Sequence, residues 1–217
     1  MYTPEYQPAE QTRPTSYAWS VVALLSLVAL LNYMDRLMIT TMREPIRAAI
    51  PMTDAQFGLL TSVFLWVYAV VSPIGGYLAD RAGRRGAIIL SLFCWSAATF
   101  ATAFARSSHQ LLAARALMGV SEACYMPAAL ALIADFHPGS TRSLATGFHM
   151  TGLYAGAALG GVGGVIAERY GWAAGFKILG AVGIAYSFML MLALRDAPRD
   201  PSAEVADDPR DAAKIGA

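Results

Sequence analysis

Four ionisable side chains fall within stretches of sequence that are otherwise apolar. Asp35 and Arg36 follow one another in the first stretch, and Arg115 and Glu122 are seven residues apart in the fourth. Charges in such places are costly in a membrane and mark candidate functional sites. An arginine withdrawn from water can bind a carboxylate or phosphate through two hydrogen bonds, and a carboxyl group there can exchange a proton near neutral pH. The pattern predicts an anion site coupled to a proton.

Helix geometry limits which of these residues can meet. Adjacent residues of a helix point about 100° apart, so Asp35 and Arg36 cannot face the same way, and at least one needs another partner or a water-filled cavity. Arg115, Gly119 and Glu122 share one face, with the charged pair about 10 Å apart along the axis. The alternative is a structural role, in which the charges neutralise one another and hold the helices together.

Six apolar segments are long enough to cross a membrane as helices, for which about 20 residues suffice. We expect spans at 17–42, 54–78, 87–105, 110–133, 143–167 and 172–194. Thr53 or Asp54 is expected to cap the second span. Pro73 and Pro127 are expected to kink the spans that contain them, a distortion that membrane helices tolerate.

The composition is that of a membrane protein. Of the 217 residues, 56% are hydrophobic and 14% are charged, whereas a soluble domain has about 25% charged residues. The net charge of +1 argues against a nucleic-acid partner. We expect a polar cytoplasmic tail at 1–16, an all-α bundle of six transmembrane helices at 17–194 and a disordered cytoplasmic tail at 195–217. No pattern for a metal ion, a cofactor or enzymatic catalysis emerges.

The turn between the second and third segments is short, basic and rich in glycine. Its pattern, G-x-x-x-D-R-x-G-R-R, comprises Gly76, Asp80, Arg81, Gly83, Arg84 and Arg85. Basic residues collect in cytoplasmic loops, and a tight turn between helices favours glycine. Counting the basic residues of all loops predicts that both termini are cytoplasmic.

The same pattern closely resembles the loop signature of the major facilitator superfamily, which lies between that family's second and third helices. The segments LNYMDR, RALMGVSEACYMP and LIADFHPGSTR are similar to the anion:cation symporter and spinster-like branches of that superfamily. The resemblance runs from about residue 17 to residue 194. It implies the N-terminal six-helix half of a transporter fold, itself a 3+3 inverted repeat, whose substrate site lies between two halves.

The resemblance also implies roles for single residues of the charged group. Arg115 would bind the anion and take part in proton coupling, and Asp35 and Glu122 would carry the proton. The family's antiporter signature requires a proline after the residue that corresponds to Gly160. Gly161 follows here, which disfavours antiport.

A second set of implied roles concerns the basic turn. Asp80, Arg81 and Arg84 would belong to a cytoplasmic latch that holds one half of a transporter against the other. Asp135 and Arg142 lie in a companion loop between the fourth and fifth spans, from which Arg142 would reach Asp80. The alternative is that these arginines only anchor the loops on the positive inner side.

Three uncharged candidates complete the site. Tyr33 and Tyr125 lie in mid-span, where a hydroxyl can line a cavity. His149 lies on a small, apolar stretch of the fifth span. It is either a hydrogen-bonded packing residue or a proton relay.

Together these features predict a secondary active transporter in a bacterial inner membrane. It would move an organic anion or an anionic lysolipid together with a proton by alternating access. Working as a transporter would require a second six-helix half or a homodimer. The alternative is a truncated or half-transporter that acts as a non-transporting membrane interaction module.

Overall fold

The computed structural model describes residues 16–197 as a bundle of six helical spans of membrane length. They are Ser16–Thr41, Asp54–Arg81, Arg84–Thr102, Ser108–Phe136, Gly139–Tyr170 and Trp172–Ala193. All six predicted spans are confirmed, with their ends displaced by a few residues. The predicted tails, up to residue 15 and beyond residue 197, lie outside the described residues.

Within residues 16–197, nine α-helices account for the six spans and one loop. They are α1 (Ser16–Thr41), α2 (Arg43–Ala49), α3 (Asp54–Ala82), α4 (Arg84–Thr102), α5 (Ser108–Glu122), α6 (Tyr125–Phe136), α7 (Arg142–Leu159), α8 (Val162–Tyr170) and α9 (Trp172–Ala193). Spans 1, 2, 3 and 6 are α1, α3, α4 and α9. Span 4 consists of α5 and α6, and span 5 consists of α7 and α8 after a single 3-10 turn. The short α2 lies in the loop between spans 1 and 2.

Side-chain caps and a glycine fix the ends of span 2. The Thr53 hydroxyl accepts a hydrogen bond from the Gln56 backbone N–H (3.2 Å), and Gln56 Oε1 accepts one from the Thr53 N–H (2.9 Å). This reciprocal pair is a capping box, and it starts the helix at the predicted place. At the other end, Gly83 has φ +97°, a conformation that favours glycine, and the chain turns directly into span 3.

Pro127 interrupts span 4. It has no N–H to donate to the carbonyl of Ala123 four residues earlier, and the chain forms a turn at residues 123–124. The Ala123 carbonyl lies against Gly75 of span 2, where a Cβ atom would be 3.0 Å from the oxygen. Pro73, by contrast, lies inside α3 without ending it. Glu122 is therefore the last residue of α5, directly before the interruption.

The spans pack in four principal pairs. Span 1 packs on span 5, span 2 on span 4, and span 3 on both span 6 and span 4. An inverted repeat exchanges spans 1–3 with spans 4–6. It converts the pairs 1–5 and 2–4 into one another and the pair 3–6 into itself, so these three pairs agree with a 3+3 inverted repeat. The pair 3–4 departs from it, because its counterpart, span 1 on span 6, is much less extensive.

Spans 1 and 5 approach each other backbone to backbone. Gly152 and Gly156 of α7 lie against the backbone of Ser26 and Leu30 of α1, and a Cβ atom at either glycine would overlap the facing carbonyl group. Small residues allow such close contact between membrane helices, whose association depends on packing because lipid is as apolar as their side chains. The pair α1–α7 therefore positions one side of the bundle interior.

We predict that Gly152→Val lowers the stability of the bundle, because two backbones would have to separate to admit the side chain. Overpacking of this kind typically costs about 1–3 kcal/mol. The matched control is Gly147→Val on the same helix, where a Cβ atom would meet nothing within 4 Å. The two variants are compared by thermal unfolding in one detergent. Equal Tm values would contradict the close approach of spans 1 and 5.

Candidate functional site

Asp35, Arg36, Arg115 and Glu122 form one group in the bundle interior, here called the charge cluster. The first two lie on α1 and the other two on α5. Asp35 and Arg115 are 1% exposed and Glu122 is fully buried. Electrostatic interactions link every pair among the four. With both carboxyl groups ionised, the two arginines and two carboxylates of the cluster sum to no net charge.

An ion pair within the cluster joins span 1 to span 4. Arg36 Nε donates a hydrogen bond to Glu122 Oε2 at 2.7 Å, and the Arg36 side chain is 15% exposed. The preceding residue points elsewhere, since Asp35 Oδ2 accepts a hydrogen bond from the Thr99 hydroxyl of α4 at 2.5 Å. The divergence of about 100° between consecutive helical residues explains why the two have separate partners. Nothing in the sequence distinguished Thr99 beforehand.

Arg115 lies against span 2 and makes no ion pair with a carboxylate within 4 Å among the described residues. Its Nε donates to the Leu60 carbonyl at 3.3 Å, and its guanidinium carbon lies 4.7 Å from the centroid of the Phe64 ring. Gly119, one turn along α5, contacts the Phe64 backbone, where a Cβ atom would be 2.8 Å from the carbonyl oxygen. Arg115 and Gly119 thus hold α5 against α3. Of the two arginines of the cluster, Arg36 is the one that is partly exposed.

Three aromatic rings, here called the aromatic box, surround the Arg36 guanidinium. Its carbon lies 5.1 Å from the ring centroid of Tyr33, 4.9 Å from that of Phe64 and 4.6 Å from that of Tyr68. Phe64 and Tyr68 stack with centroids 6.0 Å apart, one turn apart on α3. Sequence reasoning singled out Tyr33 but missed Phe64. The four-residue spacing of two aromatics on one face was the available signal.

Each carboxylate of the cluster has one oxygen that makes no direct hydrogen bond, and the fully buried Asn32 side chain lies close enough to Glu122 to stabilise its charge. Among the described residues, neither Asp35 Oδ1 nor Glu122 Oε1 has a hydrogen-bond partner, and both atoms are buried. Buried polar atoms are normally paired, so unpaired ones call for an explanation. Each free oxygen is a place where a proton can bind. Within residues 16–197, no three His, Cys, Asp or Glu side chains are grouped so that they could hold a metal ion.

Tyr125 and His149 lie apart from the charge cluster. The Tyr125 hydroxyl donates to the Leu25 carbonyl at 2.8 Å, and the His149 ring lies 6.1 Å from the Tyr125 ring. Leu25 precedes Asp35 by ten residues on α1, which is about 15 Å along a helix. Both side chains are buried. The structure therefore places them in the packing of spans 1, 4 and 5 rather than beside the two carboxylates.

The basic turn is tied to the end of span 4 by Arg84. Its Nη1 bonds to the Asp135 carboxylate and to the Ala131 carbonyl (3.1 Å), and its Nε lies 3.4 Å from Asp80 Oδ1. Arg142 is exposed at the start of α7. In this structure the residue near Asp80 is Arg84, from one turn along the chain, and the contact between Arg142 and Asp80 stays a prediction.

The next arginine ties the turn to the end of span 6. Arg85 donates from Nε to the Leu194 carbonyl and from Nη2 to the Met191 carbonyl, both at 2.5 Å. A cation at the C-terminal end of a helix satisfies its unpaired carbonyls and opposes its negative dipole end. Arg81 lies over the Tyr77 ring at 4.7 Å, and Gly76 packs against Pro127.

We predict that Arg36→Met destabilises the protein more than Glu122→Gln, because it leaves a fully buried carboxylate without its cation. Breaking a buried pair costs about 3–5 kcal/mol. Combining the two substitutions should restore part of the loss, since no unpaired charge is left. Thermal unfolding of all three variants is the measurement, with Glu168→Gln on the exposed face of α8 as control. Losses that simply add would show that the two residues do not interact.

Comparisons with known proteins identify relatives over most of the chain. The sequence model of the Major Facilitator Superfamily matches residues 25–216. Protein spinster homolog 3 of Danio rerio is 33% identical over 204 residues, which cover 92% of this chain and 40% of the relative. The probable sulfoacetate transporter SauU of Cupriavidus necator is 29% identical, with 87% of this chain and 44% of the relative covered.

A solved structure shares the fold. A bacterial homolog of the human lysosomal transporter Spinster, in an inward-facing and unoccupied conformation, matches with a TM-score of 0.78 at 29% identity, over 86% of this chain and 45% of that one. The chain spans less than half the length of each of these three proteins. The resemblance seen in the sequence is confirmed. This chain, an all-α membrane bundle with the fold of half a transporter, belongs to the Major Facilitator Superfamily.

Proposed function

We propose that this chain is one half of a secondary active transporter that moves an organic anion together with a proton by alternating access. The observation that carries the proposal is the buried pair of Arg36 and Glu122. It joins the one partly exposed arginine of the cluster to a carboxylate with a free oxygen. An ion pair buried in a membrane is costly unless it is used or well satisfied.

The anion binds to Arg36 in this proposal, and not to Arg115. Arg115 is 1% exposed and donates to the backbone of α3, whereas the Arg36 side chain is 15% exposed. An arriving carboxylate or phosphate competes with Glu122 for the same guanidinium, to which it can make two hydrogen bonds. Glu122 then loses its cation, and a proton neutralises it because an unpaired buried charge is unfavourable. Anion binding and proton binding therefore favour each other.

The neutrality of the charge cluster sets the expected stoichiometry. Its two arginines and two carboxylates sum to zero, and adding charge to a site of low dielectric constant is costly. One monovalent anion and one proton together leave the sum unchanged. We therefore propose a ratio of one proton to one monoanion, which makes each transport cycle electroneutral.

An apolar groove on the helix that carries Asp35 and Arg36 supports a substrate with an apolar part. No residue of the charge cluster lines it, and its nearest lining residue on α1, Leu30, precedes Asp35 by about 7.5 Å along the helix. The groove lies between α1 and α7, has a volume of about 610 Å³, and is lined by Trp19, Leu27, Leu30 and Phe148 among others. Its few hydroxyls, including Ser26 and Thr151, already donate to backbone carbonyls. The sulfoacetate transporter among the relatives is named for a small organic anion. The groove favours an anionic lysolipid or a similar amphiphile for this chain.

The orientation we propose places the basic turn and both termini in the cytoplasm of a bacterial cell, with the bundle in the inner membrane. It is supported by the arginines at the end of the bundle that carries the turn, namely Arg81, Arg84, Arg85, Arg142 and Arg195. In this orientation Asp80 and Arg84 lie where a latch between two halves would form. Arg84 already holds Asp135 within its own half.

The second six-helix half is the partner that this function requires, because the site of such a transporter lies between two halves. A second copy of this bundle or a further six-helix segment could supply that half. The alternative function is that of a non-transporting membrane module which pairs with a relative.

We predict proton-driven uptake of a labelled anionic lysolipid into liposomes that contain this chain and a second half. Glu122→Gln should abolish the dependence on the proton gradient, because a neutral amide cannot exchange the proton. Glu168→Gln, an exposed change on α8, is the matched control and should behave as wild type. A small organic anion tested in parallel shows whether the groove selects for an apolar tail.

Two results would count against this function. Gradient-dependent uptake that survives Glu122→Gln would exclude this carboxylate as the proton carrier. If well-folded protein takes up neither anion, alone or with a second half, the non-transporting role is the better account.

We also predict that uptake of a monoanion does not respond to a membrane potential imposed at constant pH. The proposed cycle carries no net charge, so the potential does no work on it. A potassium gradient with valinomycin sets the potential, and the initial rate of uptake is measured at both signs. A rate that changes with the sign of the potential would exclude the ratio of one to one.

A further inference from the structure

Glu122 has two arginines within electrostatic range and pairs with only one of them. Arg36 and Arg115 both act on its charge, and Arg36 makes the 2.7 Å contact. Arg115 lies on the same face of the same helix, but its Nε donates to the Leu60 carbonyl of α3. Charge alone does not decide between two guanidinium groups. Arg115 starts about 10 Å from Glu122 along the axis of α5, and the side chains packed around the two guanidinium groups decide where each is held.

Phe64 is the side chain that contacts both arginines. Its ring centroid lies 4.9 Å from the Arg36 guanidinium carbon and 4.7 Å from that of Arg115, and the residue is 2% exposed. The backbone at Phe64 is fixed by its contact with Gly119. A buried ring in this position occupies space through which either guanidinium would have to move to exchange partners.

The remaining two rings of the aromatic box favour Arg36. The ring centroids of Tyr33 and Tyr68 lie 5.1 Å and 4.6 Å from its guanidinium carbon. Together with Phe64, Arg36 therefore contacts three rings, whereas Arg115 contacts the Phe64 ring. Rings attract cations through their quadrupole, and the attraction grows when water is excluded. The box thus stabilises a guanidinium at the position next to Glu122.

We propose that the aromatic box is a positioning device that assigns Glu122 to Arg36 and keeps Arg115 on the backbone of α3. Its consequence for transport rests on the function proposed above. An anion can reach Arg36, the partly exposed arginine, and by binding there it would free Glu122 from the ion pair. The pairing itself can be tested without any transport.

The test is modification of arginines by phenylglyoxal in the purified full chain, followed by mass spectrometry of the peptides that contain Arg36 and Arg115. The modification is measured in wild type, in Phe64→Leu, in Glu122→Gln and in the double variant, which together form a double-mutant cycle. In the wild-type background, we expect Glu122→Gln to raise modification of Arg36 about 10- to 150-fold, the range that loss of a hydrogen bond between charged groups predicts. In the Phe64→Leu background, Glu122→Gln should instead raise modification of Arg115.

The controls separate assignment of partners from packing. Phe64→Tyr retains the ring and should retain the wild-type pattern. If Phe64→Leu does not fold, Tyr68→Leu at the half-buried position takes its place, with Tyr68→Phe beside it to separate loss of the ring from loss of the hydroxyl, which also acts on Arg36. If Glu122→Gln still raises modification of Arg36, and not of Arg115, in the Phe64→Leu background, the proposal is overturned. An equal rise at both arginines, which is what loosened packing produces, would also overturn it. A chain that shows the predicted pattern but no uptake would refute only the proposed transport.

Discussion

The low dielectric constant of the membrane interior makes an unpaired charge costly, and the pairing of Arg36 with Glu122 is the interaction on which the rest of the site depends. It joins spans 1 and 4, while Asp35 uses the Thr99 hydroxyl to join span 1 to span 3. Removal of Arg36 leaves a fully buried carboxylate without its cation. Three spans are thus joined through the polar contacts of Asp35, Arg36 and Glu122.

The bundle combines this polar interior with contacts that leave no room for water. Span 1 meets span 5 through Gly152 and Gly156, and span 4 meets span 2 through Gly119 and Gly75. Such contacts leave the paired backbones little room to move relative to each other. A long side chain such as that of Arg36 can then move without displacing the helix that carries it. Rigid backbones and a movable ion pair are what a binding site with two states requires.

The spans, the basic turn and the membership of the charge cluster could be predicted because each depends on a local pattern. The length of the apolar segments predicts the spans, and glycine beside arginines predicts the turn. A charged residue within an apolar segment is visible directly in the sequence. Partners between helices could not be predicted. Helix spacing placed Arg115 and Glu122 on one face, but it could not show that Arg115 donates to Leu60 or that Arg84 meets Asp80. Those contacts depend on which faces of different helices meet.

Two adjacent residues after Gly83 reach two different helices, and this has a mechanical consequence. Arg84 bonds to the end of span 4 and Arg85 to the end of span 6, while the turn itself joins spans 2 and 3. Four of the six spans are therefore cross-braced at a single point. Sliding of one span past another at that end would break charge-assisted hydrogen bonds, which are among the strongest in proteins. In the alternating-access cycle proposed above, the half would consequently rotate as one stiff body, with little deformation away from its surface of contact with the other half.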